Sequence, residues 1–160
     1  ITQSDIMATA GGNESFCNLI QVGTLNLEDN RADFDHQYIS LVVLSPDKVM
    51  VVDHKACNLR LHSLQYGQML AVSKRLESLP LDMCICGIND NVIQTAVSLY
   101  GQIQILSITS TGQTATITQV RTLDVKKTFD SCEAVKYLNE KLLVSGRKKD
   151  KMYWGIVSIT

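Results

Sequence analysis

Two prolines, three phenylalanines and one tryptophan are all that these 160 residues contain. So few prolines exclude a Pro-rich linker, and a 45% hydrophobic share excludes a disordered tail. A charge excess is missing as well: 15 Lys and Arg stand against 16 Asp and Glu, for a net charge of −1. A domain dedicated to nucleic acid carries a strong basic excess, and this chain has none. No run of about 18 apolar residues occurs, so no transmembrane helix and no membrane partner is expected. The opening ITQSDIMATAGG has neither a basic start nor an apolar stretch, so it is not read as a secretory signal. It starts without methionine, and the chain is expected to be cut from a longer one or processed.

Cysteine is present in an odd number, at Cys17, Cys57, Cys84, Cys86 and Cys132. Irregular spacing argues against a disulfide framework. Four of the five lie in or beside apolar strands, where a thiol behaves as a small hydrophobe. A reducing cytoplasm is the simplest setting. The triplet Asn13-Glu14-Ser15 is a glycosylation sequon that would fit secretion instead. Cys84 and Cys86 point to one face of a strand by its two-residue period, and both replace core aliphatics of the repeat. No second Cys/His pair has zinc spacing, so burial is the expectation and no metal or other cofactor is assigned. His36 and His62 lie far apart, with no nucleophile motif to join them.

What is there is a repeat. LVVLSPDKVMVVDHKACNLRLHSL (41–64), ICGINDNVIQTAVSLYGQIQILSI (85–108) and AVKYLNEKLLVSGRKKDKMYWGIVSI (134–159) can be superposed. Each reads as apolar strand, tight polar turn, apolar strand, longer polar loop and alternating strand. A period of about 40–50 residues with several strands per unit points to propeller blades. The expected class is all-β, with about three antiparallel blades of four strands, the last incomplete, forming half of a six-bladed ring.

The organisation follows. Residues 1–17 are small and polar and are expected to be a mobile segment. Residues 18–38 hold a latch strand (NLIQVGTLNL) and a charged loop. Blades are expected over 39–78, 79–127 and 128–160, the third lacking its fourth strand. Ser45-Pro46-Asp47-Lys48 is a turn because Pro fixes φ and Asp bonds nearby backbone. Tyr66-Gly67, Tyr100-Gly101 and Asn139-Glu140 mark further hairpins. Two repairs of the open ring are expected: further blades on another segment, or a homodimer in which two copies close six blades.

Binding residues belong on the end where the second strand turns into the third and where the chain crosses to the next blade. His54 and Lys55 fall there in the first unit and Tyr100 in the second, with ordinary turn chemistry as the alternative. In the third unit a loop over 147–151 carries Arg147, Lys148, Lys149 and Lys151, followed by Tyr153 and Trp154, with Lys126 and Lys127 on the adjacent segment. Cations beside aromatics can hold phosphates and stack bases. The plainer reading makes 147–151 a solvated loop tip and Trp154 a core residue. Acidic Glu28, Asp29, Asp33 and Asp35 oppose phosphate. Asp53 with Arg60 or Asn58 is expected to fix its hairpin. Asp82, Asp130 and Glu133 are candidate calcium ligands at first-strand starts, with turn capping the expectation for Asp82.

The marks VGTLNL, VVLSPDKVMVVD and LRLHSL, then LPLDMCICGINDNVIQTAV and DSCEAVKYLNEKLLVSG, resemble the NHL-type six-bladed propeller of tripartite-motif (TRIM)-like proteins, especially those of marine invertebrates. The resemblance covers about residues 21–146. Asp53, Asn58 and Arg60 fill the residue types of the family's Asp-Asn-Arg signature, at wider spacing. The second repeat has Ser98, Gly101 and Gln102 in those places. The resemblance implies a non-catalytic recognition platform. Ubiquitin transfer in such proteins belongs to a RING domain, which these residues do not include. The expected partner is a protein, with RNA bound through 147–151 as the alternative. A fragment of a calcium-dependent six-bladed hydrolase is the third reading. The candidate contact residues are His54, Lys55, Tyr100, Lys126, Lys127, Arg147, Lys148, Lys149 and Tyr153.

Overall fold

The computed structural model describes residues 37–64, 68–111 and 114–159. They form eleven strands in three antiparallel sheets. The first blade holds β1 (Tyr38–Ser45), β2 (Lys48–Asp53), β3 (Asn58–Ser63) and β4 (Met69–Val72). The second holds β5 (Asp82–Asn89), β6 (Val92–Leu99), β7 (Gln102–Thr111) and β8 (Thr114–Asp124). The third holds β9 (Ser131–Leu138), β10 (Lys141–Lys148) and β11 (Lys151–Ser158). Strand order follows sequence order in every sheet, so each is a meander. The sheets stack as propeller-like blades and do not close on themselves. Among the described residues there is no helix, hence none able to cross a membrane. The segments 1–17 and 18–36, with the expected latch strand and acidic loop, and the expected Tyr66-Gly67 turn lie outside the described residues.

Local chemistry accounts for the turns. Ser45 Oγ donates to Asp47 Oδ1 at 2.6 Å, which closes the Pro46-Asp47 bend between β1 and β2. Both hairpins of the third blade have two-residue turns with positive φ throughout: Asn139 and Glu140 at 49° and 61°, Lys149 and Asp150 at 46° and 63°. That is the type I′ geometry whose twist matches the flanking strands. Residues 147–151 are therefore not a loop. Arg147 and Lys148 end β10, Lys151 begins β11, and only Lys149 and Asp150 turn.

Two apolar layers hold the blades together. Met50, Val52, Leu59 and Leu61 of the first blade meet Met83, Val97, Leu106 and Ile108 of the second. On the second blade's other face, Cys84, Ala96, Ile103 and Ile105 meet Phe129, Val135, Leu142 and Val144. The middle blade thus buries both faces, and β6 runs fully buried from Thr95 to Leu99. Each such aliphatic side chain contributes about 2 kcal/mol by leaving water. Cys84 and Cys86 both enter the core layer toward the third blade, as expected, although the register of β5 shifts between Ile85 and Gly87. Trp154 is no core residue. Its register partner on β10 is Ser145, on the face turned away from the second blade, and it is 74% exposed.

Phe129 reaches the third blade where Gly146 lies. A Cβ on Gly146 would stand 2.9 Å from Phe129 Cδ1 and collide with the Ser131 carbonyl oxygen. Gly146→Ala is expected to destabilise the chain by about 2 kcal/mol, measured by urea denaturation, as overpacking does. Gly155→Ala, whose Cβ would sit 3.4 Å from Phe129 Cζ, is the milder control.

Candidate functional site

One end of the blades gathers the turns from second to third strand (54–57, 100–101, 149–150) and the crossings to the next blade (73–81, 125–130). Backbone bonds pin each crossing to a hairpin. Leu76 N donates to Cys57 O at 2.7 Å, Leu81 N to Ser98 O at 2.9 Å, Val125 N to Gly101 O at 3.1 Å and Asp130 N to Arg147 O at 2.7 Å. Asp53, fully buried, accepts from Ala56 N at 3.0 Å, and its other oxygen lies 3.2 Å from Arg60 Nε. This shapes the first hairpin from within.

The expected contact residues divide into two sets on this frame. His54 is a tie: its half-buried Nδ1 lies 2.7 Å from Pro80 O, bonding hairpin to crossing. Arg147 Nε is 2.6 Å from Glu133 Oε1. Lys148 Nζ donates to Lys126 O at 2.6 Å and lies 3.2 Å from Asp130 Oδ1. Those two cations are engaged by their own chain. Lys55, Lys126, Lys127 and Lys149 are exposed, as are Tyr100 and Tyr153 at 49% and 47%. Gly101, at φ 69°, leaves room for the Lys126 stem, since a Cβ there would stand 2.7 Å from Lys126 Cγ. The Gly101 turn, the Lys126 segment and Lys148 thereby meet across two blades. Tyr153 stands opposite Gly146 on the outer strand of the third.

Electrostatics at this end centre on Asp130. The Lys149 backbone N–H donates to it at 2.9 Å, and with the Lys148 ammonium this holds its carboxyl below the usual carboxylate value. The acidic residues considered as calcium ligands all have protein donors. Glu133 faces Arg147, and Asp130 faces Lys148 and Lys149 N. Among the described residues no group of three or more His, Cys, Asp or Glu is placed to hold a metal ion.

The sequence reading missed the role of Asp82, expected to cap a turn and otherwise considered as a calcium ligand. Asp82 Oδ1 accepts from Ser40 Oγ on β1 at 2.8 Å. Its Oδ2 accepts from Val135 N at 3.0 Å and Lys136 Nζ at 3.2 Å, both on β9. One carboxylate thus joins the first strands of all three blades. Its only sequence signal is a lone acid heading an apolar strand.

The thiols differ from a reactive site in every respect. Burial, helped by the neighbouring Cys86, pushes Cys84 up to about 12, and burial alone raises Cys132 to about 11. Cys86 is likewise raised by burial to about 11. Cys57, Cys84, Cys86 and Cys132 are all free and buried.

No protein family matches the chain, and no curated protein does. Among solved structures it is similar to the crystal structure of the computationally designed Ika4 protein, at 11% identity and a TM-score of 0.42, covering 84% of this chain and 97% of that one. It is also similar to the designed Ika8 protein, at 11% identity and a TM-score of 0.38, covering 76% of this chain and 46% of that one. Likeness at this level carries no argument about the chain.

Two outcomes follow from this geometry. Asp82→Ala removes the acceptor of three bonds and should cost about 2–4 kcal/mol in urea unfolding, with Asp82→Asn intermediate because its amide oxygen still accepts. Cys84, Cys86 and Cys132 should resist alkylation in the native state and react on unfolding, read by peptide mass spectrometry. Their folded values lie above the ordinary 9.0. Stability is therefore retained below about pH 9 and lost as pH rises toward 11, because the unfolded chain releases these protons first.

Proposed function

We propose that this chain is a non-catalytic recognition platform whose turn-bearing end takes a protein partner with exposed acidic groups. The observation that carries this is the display of Lys55, Tyr100, Lys126, Lys127 and Lys149 on segments fixed by backbone hydrogen bonds at one end of three adjacent blades. Contact groups already held in place lose little freedom on binding, and exposed tyrosines are favoured anchors. The reading agrees with the resemblance to the NHL propeller of TRIM-like proteins, in which such a domain selects the substrate of a ubiquitin ligase. Free, buried cysteines suit a cytoplasmic setting.

RNA is the second reading, favoured by exposed Tyr100 beside Gly101, whose turn packs against the Lys126 stem. Against it, Arg147 and Lys148 are already matched by Glu133 and Asp130, which lowers the charge available to phosphates.

A random-sequence peptide display library and a pool of short single-stranded RNA, offered to the same protein, separate the two. Selected peptides should be acidic. Tyr100→Ala should weaken them about tenfold, and Lys126→Glu with Lys127→Glu should abolish binding. Peptides indifferent to these changes would sink the assignment of this end. RNA binding that falls steeply with salt and is lost in the same variants would replace the protein reading.

A further inference from the structure

The rim of the middle blade carries a long open strand. β8 is the outermost strand of its sheet, and among the described residues no strand pairs with its outer side. It runs for 11 residues, against 4 for β4 in the same position of the first blade. Outer strands of blades are ordinarily short or protected, and an open edge is guarded by lysine or proline. Residues 114–120, Thr-Ala-Thr-Ile-Thr-Gln-Val, have no charge, no proline and no glycine, and five of the seven are β-branched. Thr114, Thr116, Thr118, Gln119 and Val120 are all exposed, so the stretch is open to solvent.

Register shows which backbone groups are open. Thr111 pairs with Thr114 where the hairpin closes, so these two exchange hydrogen bonds, and by alternation so do Thr109 with Thr116 and Ser107 with Thr118. The N–H and C=O groups of Ala115, Ile117 and Gln119 therefore point away from β7. The side chains of Ala115 and Ile117 turn toward the core shared with the first blade, while those of Thr116 and Thr118 stand on the other face. An antiparallel strand added here must bring open donors and acceptors at the same two-residue spacing. It needs an apolar side chain beside Ile117, hydroxyl-bearing side chains beside Thr116 and Thr118, and no charge to bury. Residues 114–120 of a second copy meet every one of these conditions.

We propose that two copies of this chain join rim to rim through β8, antiparallel about a two-fold axis at Ile117. Ile117 then lies opposite Ile117 of the second copy, Ala115 opposite Gln119, and Thr116 opposite Thr118. About six main-chain hydrogen bonds form across the axis, and the two sheets become one continuous sheet. The joint is small, in the class of transient contacts below about 1,200 Å², so the association depends on concentration. It uses the middle blade alone, so any blade adjoining the first or the third leaves it intact. It is also independent of what the turn-bearing end binds.

The test is the mass of the whole chain by light scattering as concentration rises, with amide exchange followed by nuclear magnetic resonance in the same samples. The expected result is a rise toward twice the 17.7 kDa of one chain. The amides of Ala115, Ile117 and Gln119 should gain protection in step with it, whereas those of Thr116 and Thr118, already bonded to β7, should be protected throughout. Thr116→Lys combined with Thr118→Lys sets like charges opposite one another twice and should weaken the association about tenfold, as should Thr116→Glu with Thr118→Glu. Both side chains point to solvent, so far-ultraviolet circular dichroism should not change. An equimolar mixture of the two variants should associate at least as well as the wild type. A chain that stays monomeric at the highest attainable concentration overturns the proposal, and so does a mass that grows beyond two chains. Association indifferent to the lysine pair, or variants that stay apart when mixed, overturns it as well. Where a variant fails to fold, the wild-type exchange series decides: association without protection at Ala115, Ile117 and Gln119 refutes the joint.

Discussion

A single carboxylate holds the three sheets in register with one another. Sheet-on-sheet packing is non-directional, and blades pressed together by aliphatic side chains alone could slide. Asp82 stops that, because it accepts at once from Ser40 on the first blade and from Val135 N and Lys136 on the third. Hydrogen bonds to an ionised acceptor are about twice as strong as neutral ones and far more demanding in direction. With β5 fixed against both neighbours, the crossings at the turn-bearing end are fixed too.

The middle blade is the keystone in a second sense. Both of its faces are core, so Thr95 and Gln104 are fully buried and its thiols nearly so. The third blade has one core face, whereas the first also buries Val49, Val51, Arg60 and His62 on the face away from the second. Stability in such an array is approximately a sum of units and nearest-neighbour joints. Two joints serve three blades here, and the outer blades lean on the middle one more than it leans on either.

The strands were legible in the sequence because apolar alternation and tight polar turns mark them independently of context. Pro46-Asp47 and Asn139-Glu140 fall where the residues indicate. The hairpin at Lys149 and Asp150 was hidden by composition: a run of Arg and Lys without glycine reads as solvated loop, yet the backbone there takes two positive φ angles. Trp154 was misplaced because the face of a strand residue depends on register, and one residue of slip exchanges core for solvent. Asp82 could not be read at all. Its partners lie 42, 53 and 54 residues away, and no local pattern encodes a meeting at that separation. Of the candidate site, the positions of the second-to-third-strand turns followed from repeat topology. Which cations are already matched by carboxylates did not, because that is set by side-chain geometry between neighbouring segments.

The two turns of the third blade carry a further meaning. Glu140, Lys149 and Asp150 occupy left-handed backbone that glycine adopts freely and that costs other residues about 1 kcal/mol each. Glycine in those positions would give an easier turn and a bare one. The chain instead places a charged side chain at the apex of each hairpin, at opposite ends of the same blade. Here local comfort of the backbone has been exchanged for surface chemistry, and the tips of this blade are set by what they present to solvent rather than by what folds most readily.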